Sequence, residues 1–316
     1  MTKRPIHTSL SQSDIAIQIQ RLVQAIENHD APAFRFMATG TAFERIERTR
    51  LSRYFDHIQQ MVDLFGEHYA YRYSEHLQAF WEACQDVGLE RSHDGPVCLD
   101  EDGADYLDYY RSMNVLVARI RQLIREPWYL RKKGDHRYQA RQQEHGTIDY
   151  VDSVLDRYSR SVVVRIDLFY LSIAQARLRA EHVVGDLDKL MAERMRNPIF
   201  KHLTGYICAV EQGENRGYHI HAALFFNGAK VRGDLYKAQQ IGELWEHITR
   251  GQGCFHSCNH DKARYGERCA VGTLRRNDRK ARANIHQAVR YLVKDDQRLL
   301  LRPQGARCLR KGLIPA

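Results

Sequence analysis

Two periodicities divide the chain. In residues 1–150 apolar side chains recur every three or four positions. They do so at Ile15, Ile19, Leu22, Val23 and Ile26 behind a Ser11–Asp14 capping box, from Ser74 to Leu89, and at Leu107, Tyr110, Met113, Val117, Ile120 and Ile124 between Ala104 and Arg125. Each stretch predicts an amphipathic helix. Between Glu126 and Gly146 the chain is polar and basic, contains Pro127 and the run Arg131-Lys132-Lys133-Gly134, and has little period, which predicts an interdomain connection with its boundary near 146–156. Beyond it the β-branched and aromatic run Ser161 to Tyr170 reads as a strand. A helix follows from Ile173 to Asn197, interrupted near Gly185 and stopped by Pro198. Leu203 to Glu211 and Tyr218 to Phe226, separated by Gln212-Gly213-Glu214-Asn215-Arg216-Gly217, read as a hairpin. Asp234 to Thr249 is helical, Arg268 to Leu274 a short strand, and Arg282 to Lys294 helical again. The order predicts an α+β chain: a mainly helical region over 1–150, then a domain over 151–316 built on a central antiparallel sheet with helices on one face.

Charge sharpens this division. The 316 residues carry 48 Lys+Arg and 39 Asp+Glu, net +9. Residues 1–150 hold 19 and 22 of these, net −3, leaving 29 and 17, net +12, for 151–316. A basic second half favours a polyanionic partner such as nucleic acid. With 43% hydrophobic residues the chain is not disordered, and no apolar run approaches membrane-spanning length. The first ten residues lack the apolar core of a signal peptide, and seven cysteines make no disulfide framework. The expectation is a cytoplasmic protein with no membrane partner.

Candidate chemistry concentrates in Glu211 to Phe226. Strand alternation puts Tyr218, Ile220, Ala222, Leu224 and Phe226 on one face and His219, His221, Ala223 and Phe225 on the other. A tight hairpin then brings Glu211 opposite or diagonal to His219. Two imidazoles and one carboxylate with open positions suit a catalytic Mn²⁺ or Mg²⁺ better than a closed structural zinc site. On the late helix, Tyr291 and Lys294 are three apart and share a side, so the ammonium can stabilise a phenolate or a phosphate oxygen. The same spacing recurs at Tyr129 and Lys132, beside Pro127 in the expected connection. Arg275, Arg276, Arg279, Lys280, Arg282 and Arg290 are candidates for holding single-stranded DNA. Cys254, His256, Cys258, His260 and Cys269 share one expected loop, and Cys254, Cys258 and Cys269 are candidate Zn²⁺ ligands. Asp167, on the first strand, is a candidate to assist the metal, with a salt bridge or an outward-facing carboxylate as the alternatives. A two-histidine phosphoesterase lacks its second motif after His202-Leu203-Thr204, and a three-histidine alternation is broken by Ala223.

Taken together, His219-Ile220-His221, Glu211 and the Tyr291-x-x-Lys294 motif, in that spatial logic and order, resemble the HUH endonuclease superfamily. Within it the segments 162–170, 211–228 and 285–297 look most like the filamentous-phage (inovirus) replication proteins of phages and prophages. The resemblance covers roughly residues 155–298. It implies an HUH/RRM-like nuclease core, a divalent ion on Glu211, His219 and His221, and a single-tyrosine mechanism. In that mechanism Tyr291 nicks single-stranded DNA or an origin hairpin and retains a 5′-phosphotyrosine, which initiates rolling-circle replication. Transposases and relaxases of the same superfamily, and a catalytically inactive DNA-binding regulator, are the alternatives. Relaxases generally place the tyrosine ahead of the histidines, which disfavours that option here unless Tyr129 is the nucleophile. Residues 1–150 carry no motif of the superfamily; duplex recognition, recruitment of a host helicase and buttressing of the sheet are their candidate roles.

Overall fold

A computed structural model of the chain describes residues 10–39, 44–66, 69–293 and 298–313. The fold is α+β, in two compact units: Met1–Asp135 with Leu300–Gln304, and His136–Leu299 with Gly305–Ala316.

In the first unit the elements are α1 (Gln12–Asn28), the antiparallel pair β1 (Phe34–Ala38) and β2 (Glu44–Arg48), α2 (Ile58–Asp63), β3 (Tyr71–Tyr73), α3 (Glu75–Asp86), α4 (Tyr109–Leu123) and the start of α5 (Pro127–Asp156). Side-chain caps fix the helix starts. The Ser11 hydroxyl accepts from Asp14 N at 3.1 Å while Ser11 N donates to the Asp14 carboxylate at 3.3 Å, completing the capping box. Ser74 caps α3, and Asp108 caps α4 by accepting from Arg111 N at 2.9 Å. That cap starts α4 at Tyr109, so the predicted stretch from Ala104 begins too early. Ile19, Leu22, Phe80, Met113, Ile120 and Tyr129 share one core.

The largest departure from the pattern is α5. The expected connection over 126–146 is instead helical through to Asp156, and the two units divide within it, at Asp135/His136 rather than at 146–156. Its polar composition hides the helix, because few positions are buried and no apolar stripe forms.

The second unit runs β4 (Arg160–Tyr170), α6 (Ser172–Gln175), α7 (Ala180–Glu193), β5 (Leu203–Gly213), β6 (Gly217–Asn227), α8 (Asp234–Ile248), β7 (Gly253–Ser257), α9 (Lys262–Tyr265), β8 (Gly272–Arg275) and α10 (Arg279–Leu292). Of the two remaining strands, β9 (Leu301–Pro303) pairs with β3 in the first unit and β10 (Leu309–Lys311) with β5. The sheet order is β10-β5-β6-β4-β7, all antiparallel, with β8 on the same edge of β4 as β7. The helix after β4 breaks at 176–179, not near Gly185, which lies inside α7.

Helices cover both faces of this sheet, not one. On the even-numbered face of β4, α7 and α8 pack: the Tyr170 hydroxyl meets Asp186 at 3.0 Å, Trp245 Nε1 donates to Phe169 O at 2.9 Å, and Lys237 lies over the Phe226 ring. A Cβ on Gly242 would meet the Phe255 ring at 2.4 Å, so helix and sheet are in close contact there. On the odd-numbered face, Tyr150 and Val154 of α5 and Ile285, Val289 and Leu292 of α10 cover Val163, Ile207, Ala223 and Phe225.

One edge of β4 is shared by two short strands. β8 pairs with residues 160–163 and β7 with 166–170, leaving an interruption that Asn259 fills. Its side chain accepts from Arg165 N at 2.9 Å and donates to Val163 O at 2.9 Å and to Asp234 at 2.7 Å, while Lys262 pairs with the same carboxylate at 2.5 Å. Asn259→Ala therefore strands two backbone groups at the break, and a loss of about 2–4 kcal/mol is expected in urea unfolding, against little change for an exposed substitution such as Lys230→Ala.

Candidate functional site

The odd-numbered face of β4 carries Arg165, Asp167 and Phe169. Register sets Asp167 against His221 of β6 on one side and His256 of β7 on the other, and Glu211 of β5 directly against His219. Glu211, His219 and His221, the three residues named from alternation, thus meet on one face. They are almost wholly buried, and each offers a ligand atom within 4.8 Å of the others.

The hairpin tip has backbone requirements of its own. Gly217 adopts φ of 57°, and a Cβ there would meet Gln175 Oε1 at 2.3 Å. From α6, Gln175 donates to Arg216 O at 3.2 Å, and Gly217 O accepts from His219 Nδ1 at 3.1 Å. A carbonyl only accepts, so the His219 proton sits on Nδ1 and the Nε2 lone pair points inward. His221 is held the same way, its Nδ1–H donating to Asp167 Oδ1. The inward Nε2 atoms stand 3.7 Å (His219) and 3.2 Å (His221) from Glu211 Oε2. Two imidazoles oriented through Nδ1, one by a carboxylate and one by a carbonyl, with their Nε2 atoms converging on a carboxylate oxygen, form a three-donor set that fits a divalent cation.

Electrostatics follow the same contacts. Burial, then the neighbouring His221, push His219 down to about 4, so it is neutral. Burial also opposes charge on His221, but the Asp167 and Glu211 carboxylates outweigh it and hold the ring up to about 9. For Asp167 the burial cost is overcome by His221 and then Arg165, keeping its carboxyl below the usual range. His221 therefore carries the positive charge of the cluster when no cation is bound.

The nucleophile candidate comes from the other layer. Tyr291, near the end of α10, presents its ring 6.0 Å from that of His221, with the Arg165 guanidinium 5.5 Å from its centroid. It is 39% exposed. A cavity of about 170 Å³ beside it is lined by Arg165, Cys258, Tyr265, Arg268 and the α10 residues Asn284 and Gln287, among others. On the hairpin side Phe169 stacks on His219 at 5.7 Å, with Arg216 5.0 Å from the Phe169 centroid. Lys294 lies outside the described residues.

Other predicted residues sit differently. Tyr129 is fully buried in the first unit, its hydroxyl donating to Glu27 at 2.8 Å, and Lys132 donates to Tyr73 O at 2.8 Å, so the second Tyr-x-x-Lys is part of a core. Arg282 clamps α10 to α5 through Asp152 (2.8 Å) and Asp156, Arg290 pairs with Glu144 (3.0 Å), and Lys280 with Glu267 (3.2 Å). Arg275 faces Arg160, seven residues from Asp167 along β4, or about 23 Å at strand rise. Arg276 follows it, its N donating to Ser159 O. Arg279 opens α10, about 18 Å from Tyr291 along the axis. None of these six cations lines the site, whereas Arg165, Arg216 and Arg268, not singled out from sequence, do, as does His256, which the sequence offered only within the candidate Cys/His loop. The alternation R-I-D-L-F in β4 already places Arg165, Asp167 and Phe169 on one face. Cys254 and Cys269 do not join Cys258 in any cluster of potential ligands among the described residues; Cys258 groups with Asp167 and His256 instead. Cys254 lies in β7, a strand where a loop was expected.

The chain is similar over residues 129–252 to the YagK/YfjJ C-terminal domain. The YagK/YfjJ match begins at the start of α5 and takes in Arg165, Asp167, Glu211, His219 and His221, but ends before His256, Cys258 and Tyr291. No curated protein and no solved structure matches the chain. Among the described residues no helix is long and apolar enough to cross a membrane.

Asp167→Asn keeps the shape but weakens the hold on His221. Mn²⁺ affinity measured by calorimetry is expected to fall about 10–100-fold. The His221 ring should then titrate well below about 9 by NMR in the metal-free protein. Unchanged values for both would remove Asp167 from this role.

Proposed function

We propose that this protein is a metal-assisted DNA endonuclease and strand transferase of the HUH type. It nicks single-stranded DNA or an origin hairpin through Tyr291 and so initiates rolling-circle replication of a phage, prophage or similar mobile element. The observation that carries the reading is the placement of a reachable phenol 6.0 Å, ring to ring, from an imidazole of the Glu211, His219 and His221 set, on the same side of the sheet.

Each residue then has a task. A Mn²⁺ or Mg²⁺ ion held by Glu211, His219 and His221 would neutralise charge on a non-bridging phosphate oxygen. The Tyr291 phenol oxygen attacks phosphorus; the P–O bond to tyrosine forms as the P–O3′ bond breaks. The products are a 5′-phosphotyrosine and a free 3′-hydroxyl, with the phenol proton lost to solvent and one regained by the leaving oxygen. Arg165 lies over the Tyr291 ring and lines the cavity beside it, which suits it to neutralise charge on the phosphate. Lys294, three residues after Tyr291 in sequence, is the candidate second cation. Because the ester keeps the bond energy, a 3′-hydroxyl can reverse the step without ATP.

Phe169 and Arg216 beside His219 suit stacking of a base next to the scissile phosphate. The exposed Arg275, at the end of β8, and Arg279, at the far end of α10, suit backbone contacts several nucleotides away rather than at the reacting phosphate.

The test is incubation of labelled single strands with Mn²⁺ and mapping of the modified residue. A denaturant-resistant adduct on Tyr291 is expected, lost by at least roughly a thousandfold in Tyr291→Phe and His221→Ala and on chelation. Oligonucleotide binding with no adduct in any divalent ion would instead favour a DNA-binding regulator, and an adduct that survives Tyr291→Phe would reassign the nucleophile.

A further inference from the structure

The Asp167 carboxylate faces two imidazoles, and only one belongs to the site described above. On the β7 side, His256 Nδ1 stands 4.0 Å from Asp167 Oδ2, and Cys258 follows just past the strand end, its N donating to Arg165 O at 3.1 Å. One potential ligand atom from each of Asp167, His256 and Cys258 lies within 4.8 Å of the others. The remaining ring nitrogen of His256, Nε2, donates to Asp261 at 2.7 Å, which leaves the Nδ1 lone pair turned toward Asp167. This repeats, on the neighbouring strand, the way Asp167 itself orients His221. A carboxylate-oriented imidazole aimed at a second carboxylate and a buried thiol is the outer and inner shell of a cation site.

We propose that Asp167, His256 and Cys258 bind a second divalent cation of the thiophilic class, Zn²⁺ in the first instance, at a site separate from Glu211, His219 and His221. The donor chemistry separates the two sites: a sulfur ligand selects Zn²⁺ over Mg²⁺ and Mn²⁺, whereas two imidazoles and a carboxylate accept the harder ions. Bonds of about 2.0–2.3 Å in a tetrahedral site put ligand atoms roughly 3.3–3.8 Å apart, so from separations of up to 4.8 Å the trio needs to close by up to about 1–1.5 Å. Three protein ligands leave one position open, on the side where His256 is half-exposed and where Cys258 lines the cavity with Arg165, Tyr265 and Tyr291. Asp167 serves both sites, Oδ1 toward His221 and Oδ2 toward the second ion, so the second ion fixes the group that orients His221. It also ties the chain after β7 to the central strand next to the wall that faces Tyr291. The inference concerns binding alone and does not rest on DNA cleavage.

Cobalt substitution of the full chain tests it, because of the two candidate ligand groups among the described residues this one alone contains a thiol. Co²⁺ titration should give a thiolate-to-cobalt charge-transfer band saturating at one equivalent, retained in Glu211→Gln and lost in Cys258→Ser and in His256→Asn. His256 is half-exposed, so that second variant, with an unchanged circular dichroism spectrum, guards against a misfolded cysteine variant. Asp261→Asn should weaken the band-forming affinity by about 10–100-fold. No charge-transfer band in the wild type, or a band that survives both Cys258→Ser and His256→Asn, overturns the proposal. Nicking activity enters none of these readouts, so failure here and failure of the endonuclease reading are told apart.

Discussion

A carboxylate that is only 7% exposed must be partnered to be tolerated, and the partners of Asp167 organise the second unit. It sits on the central strand β4, between β6 and β7, and reaches an imidazole on each. The two short edge strands β8 and β7 leave an interruption at 164–165, and Asn259 closes it with backbone bonds on both sides of that gap. Arg165, Asp167 and Phe169 are thereby held by a continuous backbone ladder rather than by a loop. The site needs this rigidity: His219 and His221 converge on Glu211 only while each Nδ1 stays engaged.

The layers explain where the chemistry lies along the sheet. On the odd-numbered face, α10 and the end of α5 cover Val163, Ala223 and Phe225 with aliphatic side chains. Four residues along β4 and two along β6 from that cover, the same alternation delivers Asp167 and His221. A strand whose alternate positions change from aliphatic to ligating residues has an apolar anchor at one end and a polar site at the other, and α10 spans the change: Ile285 and Val289 lie in the core, and Tyr291 emerges at its end.

How much of this was legible in the sequence follows from which signals are local. Strand alternation and a short turn sufficed to bring Glu211, His219 and His221 to one face, since hairpin pairing depends on neighbours in the chain. Helix caps at Ser11 and Ser74 are local too. Three features are not. The helical state of 127–146 comes without an apolar stripe, so period counting passes over it. β7 is a five-residue edge strand whose Cys254 and His256 look like loop ligands until its pairing with β4 is known. Counting cations cannot tell solvent-facing from paired ones: Arg282 and Arg290 resemble DNA contacts in sequence, but their carboxylate partners are 126–146 residues away on α5. The net +12 of the second half is accordingly a poor guide to where a polyanion would lie, because part of it is consumed in clamping α10.

A helix C-terminus is an unfavourable place to generate negative charge, since its carbonyls carry the negative end of the macrodipole. Tyr291 stands at that end of α10, and in the proposed reaction its oxygen approaches an anionic phosphate. The compensation comes from the sheet rather than the helix: Arg165 lies over the Tyr291 ring from below, two residues from Asp167, and His221⁺ or the ion that replaces its proton lies on the adjacent strand. Burial is divided in the same sense. The candidate ligands, at 3% exposure, are buried, which would strengthen their hold on a cation, while the phenol, at 39%, is open to the polymeric substrate of the proposed reaction. A fully buried tyrosine, such as Tyr129, has the motif but not the access. In the proposed reaction the attacking oxygen and the charges that support it therefore come from different layers, helix and sheet, and the tyrosine, seventy residues after the histidines in sequence, lies beside them in the fold.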